Sequence, residues 1–156
     1  MSDPYDLVEL SLDEVQALRH VVLRPGLDEQ IVVESCNDHL EGAAHFGVRE
    51  GGAVIAIGSI SPDPHPSGGG FGWWRLRMMA VHPDFAGKGL GSVVLGACAR
   101  HAAENGGVAM WANARMTAVG FYMRNGWMFD GEEFVDADTQ LPHLRMTRMI
   151  GNVKLT

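Results

Sequence analysis

Three glycines at alternate positions, Gly87, Gly89 and Gly91, stand where the chain changes its periodicity. Before them the apolar run Met78 to Val81 reads as the end of a strand, stopped at Pro83, which cannot donate to a sheet ladder. After them Leu90, Val94, Ala97 and Cys98 fall at the three-and-four spacing of one helix face. Strand, glycine-rich turn and helix start together make an anion site. The first amides of a helix have no intrahelical acceptor, and the helix dipole places about half a positive charge there. Missing side chains let a phosphate approach those amides closely. The spacing is not that of a triphosphate loop, because Lys88 lies between glycines and Gly91 precedes Ser92. It also fails the dinucleotide fingerprint, whose third glycine falls further on. A plain flexible turn is the competing reading.

The rest of the chain bounds what such a site can serve. At 156 residues it is one domain by size, spanning 1–156, and large enough to bury a core. No run approaches the ~18 apolar residues of a membrane span, and no basic and apolar leader opens the chain, so a cytoplasmic protein without a membrane partner is expected. Cys36 and Cys98 make neither a disulfide framework nor a metal site, and no metal is expected. A net charge of −7 argues against nucleic acid, which wants clustered Lys and Arg.

The elements that must position the turn follow in order. Tyr5 to Leu10 alternates as a strand, and Ser11 with Glu14 forms a capping box for a helix whose stripe is Val15, Leu18, Val22 and Leu23. That helix should end before Pro25-Gly26. Leu27 to Glu41 is polar and reads either as a short helix or as an excursion near the cleft. His45 to Arg49 and Ala53 to Ile60 read as a hairpin around Gly51-Gly52. Pro62 to Gly70 is a surface loop whose composition offers nothing to hold it rigid. Phe71 to Val81 is a long strand, Val108 to Asn113 a short one, and Ala114 to Arg124 a helix. Trp127 to Phe134 and His143 to Ile150 close the chain as strands. The sum is an α/β domain with a mixed, mostly antiparallel sheet flanked by helices.

In this arrangement the chain resembles the GNAT superfamily of N-acetyltransferases. The likeness lies in Met79-Ala80-Val81-His82-Pro83-Asp84, in Ala86-Gly87-Lys88-Gly89-Leu90-Gly91, and in Asn113 followed by Phe121-Tyr122 and Gly126-Trp127. Ala86 departs from the family, which usually has Arg or Gln there. A narrower resemblance, to a small stand-alone subgroup, runs through Leu18-Arg19-His20-Val21-Val22-Leu23-Arg24-Pro25-Gly26, Gly131-Glu132-Glu133-Phe134 and Pro142-His143-Leu144-Arg145-Met146.

The resemblance implies the GNAT fold, with acetyl-CoA as cosubstrate and a primary amine of a small molecule or peptide as acceptor. Backbone groups of Met79, Ala80 and Val81 would meet the pantetheine arm, with one N–H, that of Val81, polarising the thioester carbonyl. Amides of the turn formed by Ala86, Gly87, Lys88, Gly89, Leu90, Gly91 and Ser92 would take the diphosphate. Asn113 would hold a pantetheine amide, and Tyr122 would protonate the departing thiolate. An alkyl amine is mostly protonated at neutral pH, so a base is needed. Family members often place a Glu on the strand before the turn, but that strand carries Arg75 and Arg77. Glu133 and His143 are the candidate bases, with His82 and His65 behind them.

Arg75 and Arg77, two apart, should share one sheet face while Leu76 and Met78 share the other. Two guanidiniums on a cleft wall would favour a substrate carrying a carboxylate or phosphate, unless they pair with neighbouring acids. Trp73, Trp74, Trp111 and Trp127 divide between an acceptor pocket and the core. Neither cysteine has the surroundings of an acyl carrier, so direct attack in a ternary complex is expected. The rival reading is a catalytically lapsed acyl-CoA-binding regulatory module. Exposed edge strands near the C-terminus leave room for a homodimer.

Overall fold

A computed structural model describes residues 4–28 and 30–150. The described strands are β1 (Tyr5–Leu10), β2 (Ala44–Glu50), β3 (Ala53–Pro62), β4 (Trp73–Val81), β5 (Ala109–Arg115), β6 (Met128–Phe129), β7 (Phe134–Val135) and β8 (Pro142–Met149). They form one sheet in the order β1-β2-β3-β4-β5-β8-β6, with β7 also on β8. Every pairing is antiparallel except β4 with β5, which is parallel. The helices are α1 (Leu12–Leu18), α2 (Leu90–Glu104) and α3 (Val119–Arg124). The expected mixed, mostly antiparallel α/β sheet is the one observed.

Two apolar clusters divide the helices between the faces. Val15 and Leu18 of α1 meet Leu10, Ile57 and Ala80, while Leu90, Val94, Leu95, Cys98, Ala99 and Ala102 of α2 meet Ile60, Trp74 and Leu76. Tyr122 of α3 and Trp127 join the second cluster. Ala97 is only half-buried, so the buried stripe of α2 runs through Leu95 and Ala99 instead.

The capping box forms as read: Ser11 Oγ accepts from the Glu14 amide and Glu14 Oε1 from the Ser11 amide. The α-helix then widens into a π-helical turn over Arg19–Leu23 and stops at Arg24, before Pro25. Arg19 is fully buried on this helix, where both terminal nitrogens are bonded and Nε is left without a partner among the described residues. Nη1 gives to Val33 O at 2.7 Å and to Asp38 Oδ2 at 3.0 Å, and Nη2 to Asp38 Oδ1 and Ser59 Oγ, each at 3.0 Å. These bonds moor the polar stretch after α1, which is irregular apart from a 3-10 turn at Cys36–His39.

Four boundaries differ from the sequence reading. β4 starts at Trp73, because Gly72 turns the chain at φ +86 and its carbonyl accepts from the Val108 amide. β5 runs on to Arg115, since β8 pairs it along its whole length, and α3 is correspondingly short. Trp127 to Phe134 is not one strand. Asp130 and Gly131, the latter at φ +124, break it into β6 and β7. The loop after Pro62 is held after all: His65 is buried, its Nε2 meets Asp130 Oδ2, and its ring lies 4.7 Å from that of Trp73.

Candidate active site

The site is built on a bulge. Ser59 faces Arg77 and Ile57 faces Ala80, so β4 spends an extra residue against β3 between those pairs. Met78 absorbs it at φ +57, a conformation an unbranched side chain tolerates at a cost of about 1–2 kcal/mol. The bulge corrects the expected alternation. Leu76 shares its face with Met79, which reaches the α2 cluster beside Gly58, rather than with Met78. From Leu76 onward, ahead of the bulge and past it, β4 no longer pairs with β5. Their parallel pairing covers only Trp73–Arg75 against Ala109–Trp111, and a gap opens in mid-sheet. The His82 amide donates to Ile55 on the β3 side at 2.8 Å. Alternation therefore turns the Val81 N–H toward the gap.

A cavity of about 260 Å³ fills this gap. Gly91, Ala118, Phe121 and Tyr122 line it from the α2–α3 face. Leu23 and Arg24 line it from the helical run after α1, Asp136, Asp138 and Thr139 from the loop between β7 and β8, and His143 from the start of β8. Its walls are residues 75–81 of β4 and 113–115 of β5. Met79, Ala80, Val81, Asn113 and Tyr122 are thus brought together. Of the glycine turn only Gly91 lines the cavity, and Ala86, Gly87, Lys88, Gly89, Leu90 and Ser92 do not.

The turn itself has the makings of an anion cradle. Gly87 and Gly89 lie at φ +79 and +78 with open space where a Cβ would stand. No described residue accepts a hydrogen bond from the amides of Gly87 through Ser92, and the first helical bond runs from Val93 to Gly89. Gly91 serves close approach: a Cβ there would lie 3.1 Å from the Phe121 ring and 3.5 Å from Val81.

Tyr122 is 5% exposed, its ring 5.1 Å from Trp127 and 5.2 Å from Phe121. Burial, with Cys98 nearby, pushes its phenol above the ordinary value, so it holds its proton across the working pH range. No described group hydrogen-bonds its hydroxyl. His143 is 6% exposed and faces Arg115 across the ladder. Its Nδ1 lies 2.9 Å from Leu141 O; a carbonyl only accepts, so in the neutral ring Nδ1 carries the proton and Nε2 the lone pair.

The other candidates lie apart. Glu133 is exposed and outside the cavity lining. His82 caps the turn at Pro83–Phe85 by accepting from the Asp84 amide, and His65 is engaged with Asp130. Cys98 is fully buried, its thiol pushed up to about 12 by burial, which suits no acyl carrier. Trp74, Trp111 and Trp127 are buried, and no tryptophan lines the cavity. Arg75 lies over Trp111 at 4.4 Å and beside Asp63 at 3.8 Å.

Sequence reasoning did not single out Arg24, Arg115, Asp136, Asp138 or Thr139 as cavity residues. Arg24 stood inside a quoted motif, just ahead of Pro25-Gly26, and the three acceptors within a polar loop. Arg115 was assigned to a helix that the structure replaces with strand.

Residues 10–127 match the profile of the acetyltransferase (GNAT) family. The chain is 34% identical over 128 residues to the uncharacterized N-acetyltransferase YitI of Bacillus subtilis (strain 168), covering 80% of this chain and 83% of that one. Among solved structures, the ribosomal-protein-S18-alanine N-acetyltransferase of Escherichia coli superposes with a TM-score of 0.71 at 16% identity, over 97% of each chain. An aminoglycoside 6'-N-acetyltransferase complexed with coenzyme A gives 0.68 at 13% identity, over 93% of this chain and 97% of that one. At such identities the structural likenesses speak to the fold.

Proposed function

The chain belongs to the GNAT family of acetyltransferases, and on that premise we propose that it moves an acetyl group from acetyl-CoA to a primary amine by direct attack in a ternary complex. What supports this is the cavity in the mid-sheet gap, which is lined both by Gly91, among helix-start amides that no described residue accepts from, and by His143.

The residues fit the coenzyme. Amides from Gly87 to Ser92 would hold its diphosphate, aided by the α2 dipole, and the exposed backbone of Met79, Ala80 and Val81, with Asn113 across the gap, would take the pantetheine arm. Acetyl-CoA, when bound, supplies an activated carbonyl and a thiolate leaving group. His143 Nε2 takes the proton from the incoming ammonium, freeing the nitrogen lone pair for the new C–N bond. The Val81 N–H donates to the carbonyl oxygen as charge gathers there, a preorganised contact worth about 3 kcal/mol. Tyr122 gives its proton to the sulfur as the C–S bond breaks. Ala86, lacking the usual Arg or Gln, leaves diphosphate binding to the backbone.

Calorimetric titration with CoA, followed by thiol release from acetyl-CoA with a panel of amines, amino acids and peptides, tests the reading. Binding together with acceptor-dependent thiol release is expected. Binding with every acceptor silent would favour the lapsed, regulatory alternative, and no binding would end both.

A further inference from the structure

The mouth of the cavity beside α1 carries a concentration of positive charge that acetyl transfer alone does not require. Four of the chain's 12 Lys and Arg residues, Arg24, Arg75, Arg77 and Arg115, line this cavity in a protein of net charge −7. Arg75 is compensated by Asp63 and the Trp111 ring. Arg24, Arg77 and Arg115 form no ion pair with any described residue.

Two of these guanidiniums converge. Arg24 Nη1 donates to Leu23 O at 2.9 Å, and Arg115 Nη2 donates to the same oxygen at 3.1 Å. One neutral carbonyl thus gathers two like charges from residues 91 positions apart. Each fork keeps most of its donors for another acceptor. Burial and then the neighbouring Arg24 lower the Arg115 pKa, against the opposing pull of the Asp136 carboxylate. Two carboxylates stand in the same mouth. Asp136 Oδ2 is committed to its own loop, accepting from the Asp138 and Thr139 amides and from Thr139 Oγ1, and Asp138 is exposed.

We propose that Arg24 and Arg115, with Arg77 beside them on β4, form an oxyanion seat for the acceptor, so that the amine acetylated here carries a carboxylate or phosphate group. The inference rests on the acetyl-transfer reading and adds the acceptor's chemical class. Planar forks suit an oxyanion bidentately, and the seat shares its mouth with His143, so an anchored acceptor presents its nitrogen to the base.

The test pairs each anionic amine with a neutral twin: amino acids against their amides, and O-phosphoethanolamine against ethanolamine. Each is assayed by thiol release and by calorimetric binding to the CoA-loaded protein. At least one anionic member should exceed its twin by about ten- to hundredfold in kcat/KM, mainly through KM, and in affinity. The amino-acid and phosphate arms separate the two sources of the anion. Arg24→Gln and Arg115→Gln should abolish the preference while CoA binds as in the wild type. Equal use and equal binding of both twins would overturn the proposal. So would loss of CoA affinity in the variants, which would give the guanidiniums to the coenzyme. If CoA binds but no amine turns over, the binding arm still decides the seat. If CoA does not bind, the acetyl-transfer reading and the seat fall together.

Discussion

His143 gives its Nδ1 proton to the carbonyl of Leu141, two residues back in its own chain. In the neutral ring the bond fixes both tautomer and ring orientation, so a base at this position would need no partner side chain. Replacing His143 with Gln should lower kcat by about 10²- to 10⁴-fold, with CoA affinity retained. Unchanged turnover would move the base to water or to another group.

Tyr122→Phe separates chemistry from packing. The hydroxyl has no described partner, so its loss should leave the melting temperature nearly unchanged. A proton donor to the leaving sulfur would still be missed, and kcat should fall by about 10²-fold or more while the CoA dissociation constant holds. A silent substitution would make the phenol a packing group of the Trp127 cluster.

The two glycines of the turn predict different defects. At Gly89 a methyl meets nothing, but φ +78 costs a non-glycine residue about 1–2 kcal/mol, so Gly89→Ala should lower stability and reshape the amides. At Gly91 the backbone is helical and the methyl presses on Phe121, so Gly91→Ala should spare stability and weaken CoA binding by narrowing the gap. Thermal melts with and without CoA resolve the pair.

Acid should loosen the packing around Arg19. Burial raises the Asp38 carboxyl, but the Arg19 fork and the Ser35 amide outweigh it and hold it below the ordinary carboxylate range. A lowered folded pKa means that this stabilisation is complete above the unfolded value near 4 and is lost as pH falls through the folded one. Asp130, held low against its own burial by His65 and Arg145, adds in the same direction. Asp38→Ala strands a fully buried guanidinium and should cost about 3–5 kcal/mol, with a shallower loss of stability on acidification than the wild type shows. Urea melts at several pH values would check both.

The glycine turn, the helix after it and the early hairpin were legible because each is written in local signals: positive-φ residues, a change of period, a Gly-Gly bend. The bulge was not, because Met78 occupies a left-handed conformation without the glycine that usually announces one. Arg19 stood outside the apolar stripe read for the first helix and proved to be core, since its partners Asp38 and Ser59 lie 19 and 40 residues away. Glu133 was picked from a strand assumed continuous, and the Asp130–Gly131 break left it in solvent. The meeting of Arg24 with Arg115 depends on the π-helical turn and on β5 outrunning its predicted end, neither of which has a local signature.

A sheet that parts in its middle owns two naked edges facing each other rather than the solvent. Outer edges recruit foreign strands and need charges or prolines to discourage them. Here the unpaired backbone lies between β4 and β5 and borders a cavity of about 260 Å³. A ligand lying along that slot and accepting from its amides would stand in for a strand, and slowed amide exchange along residues 79–81 would record its arrival.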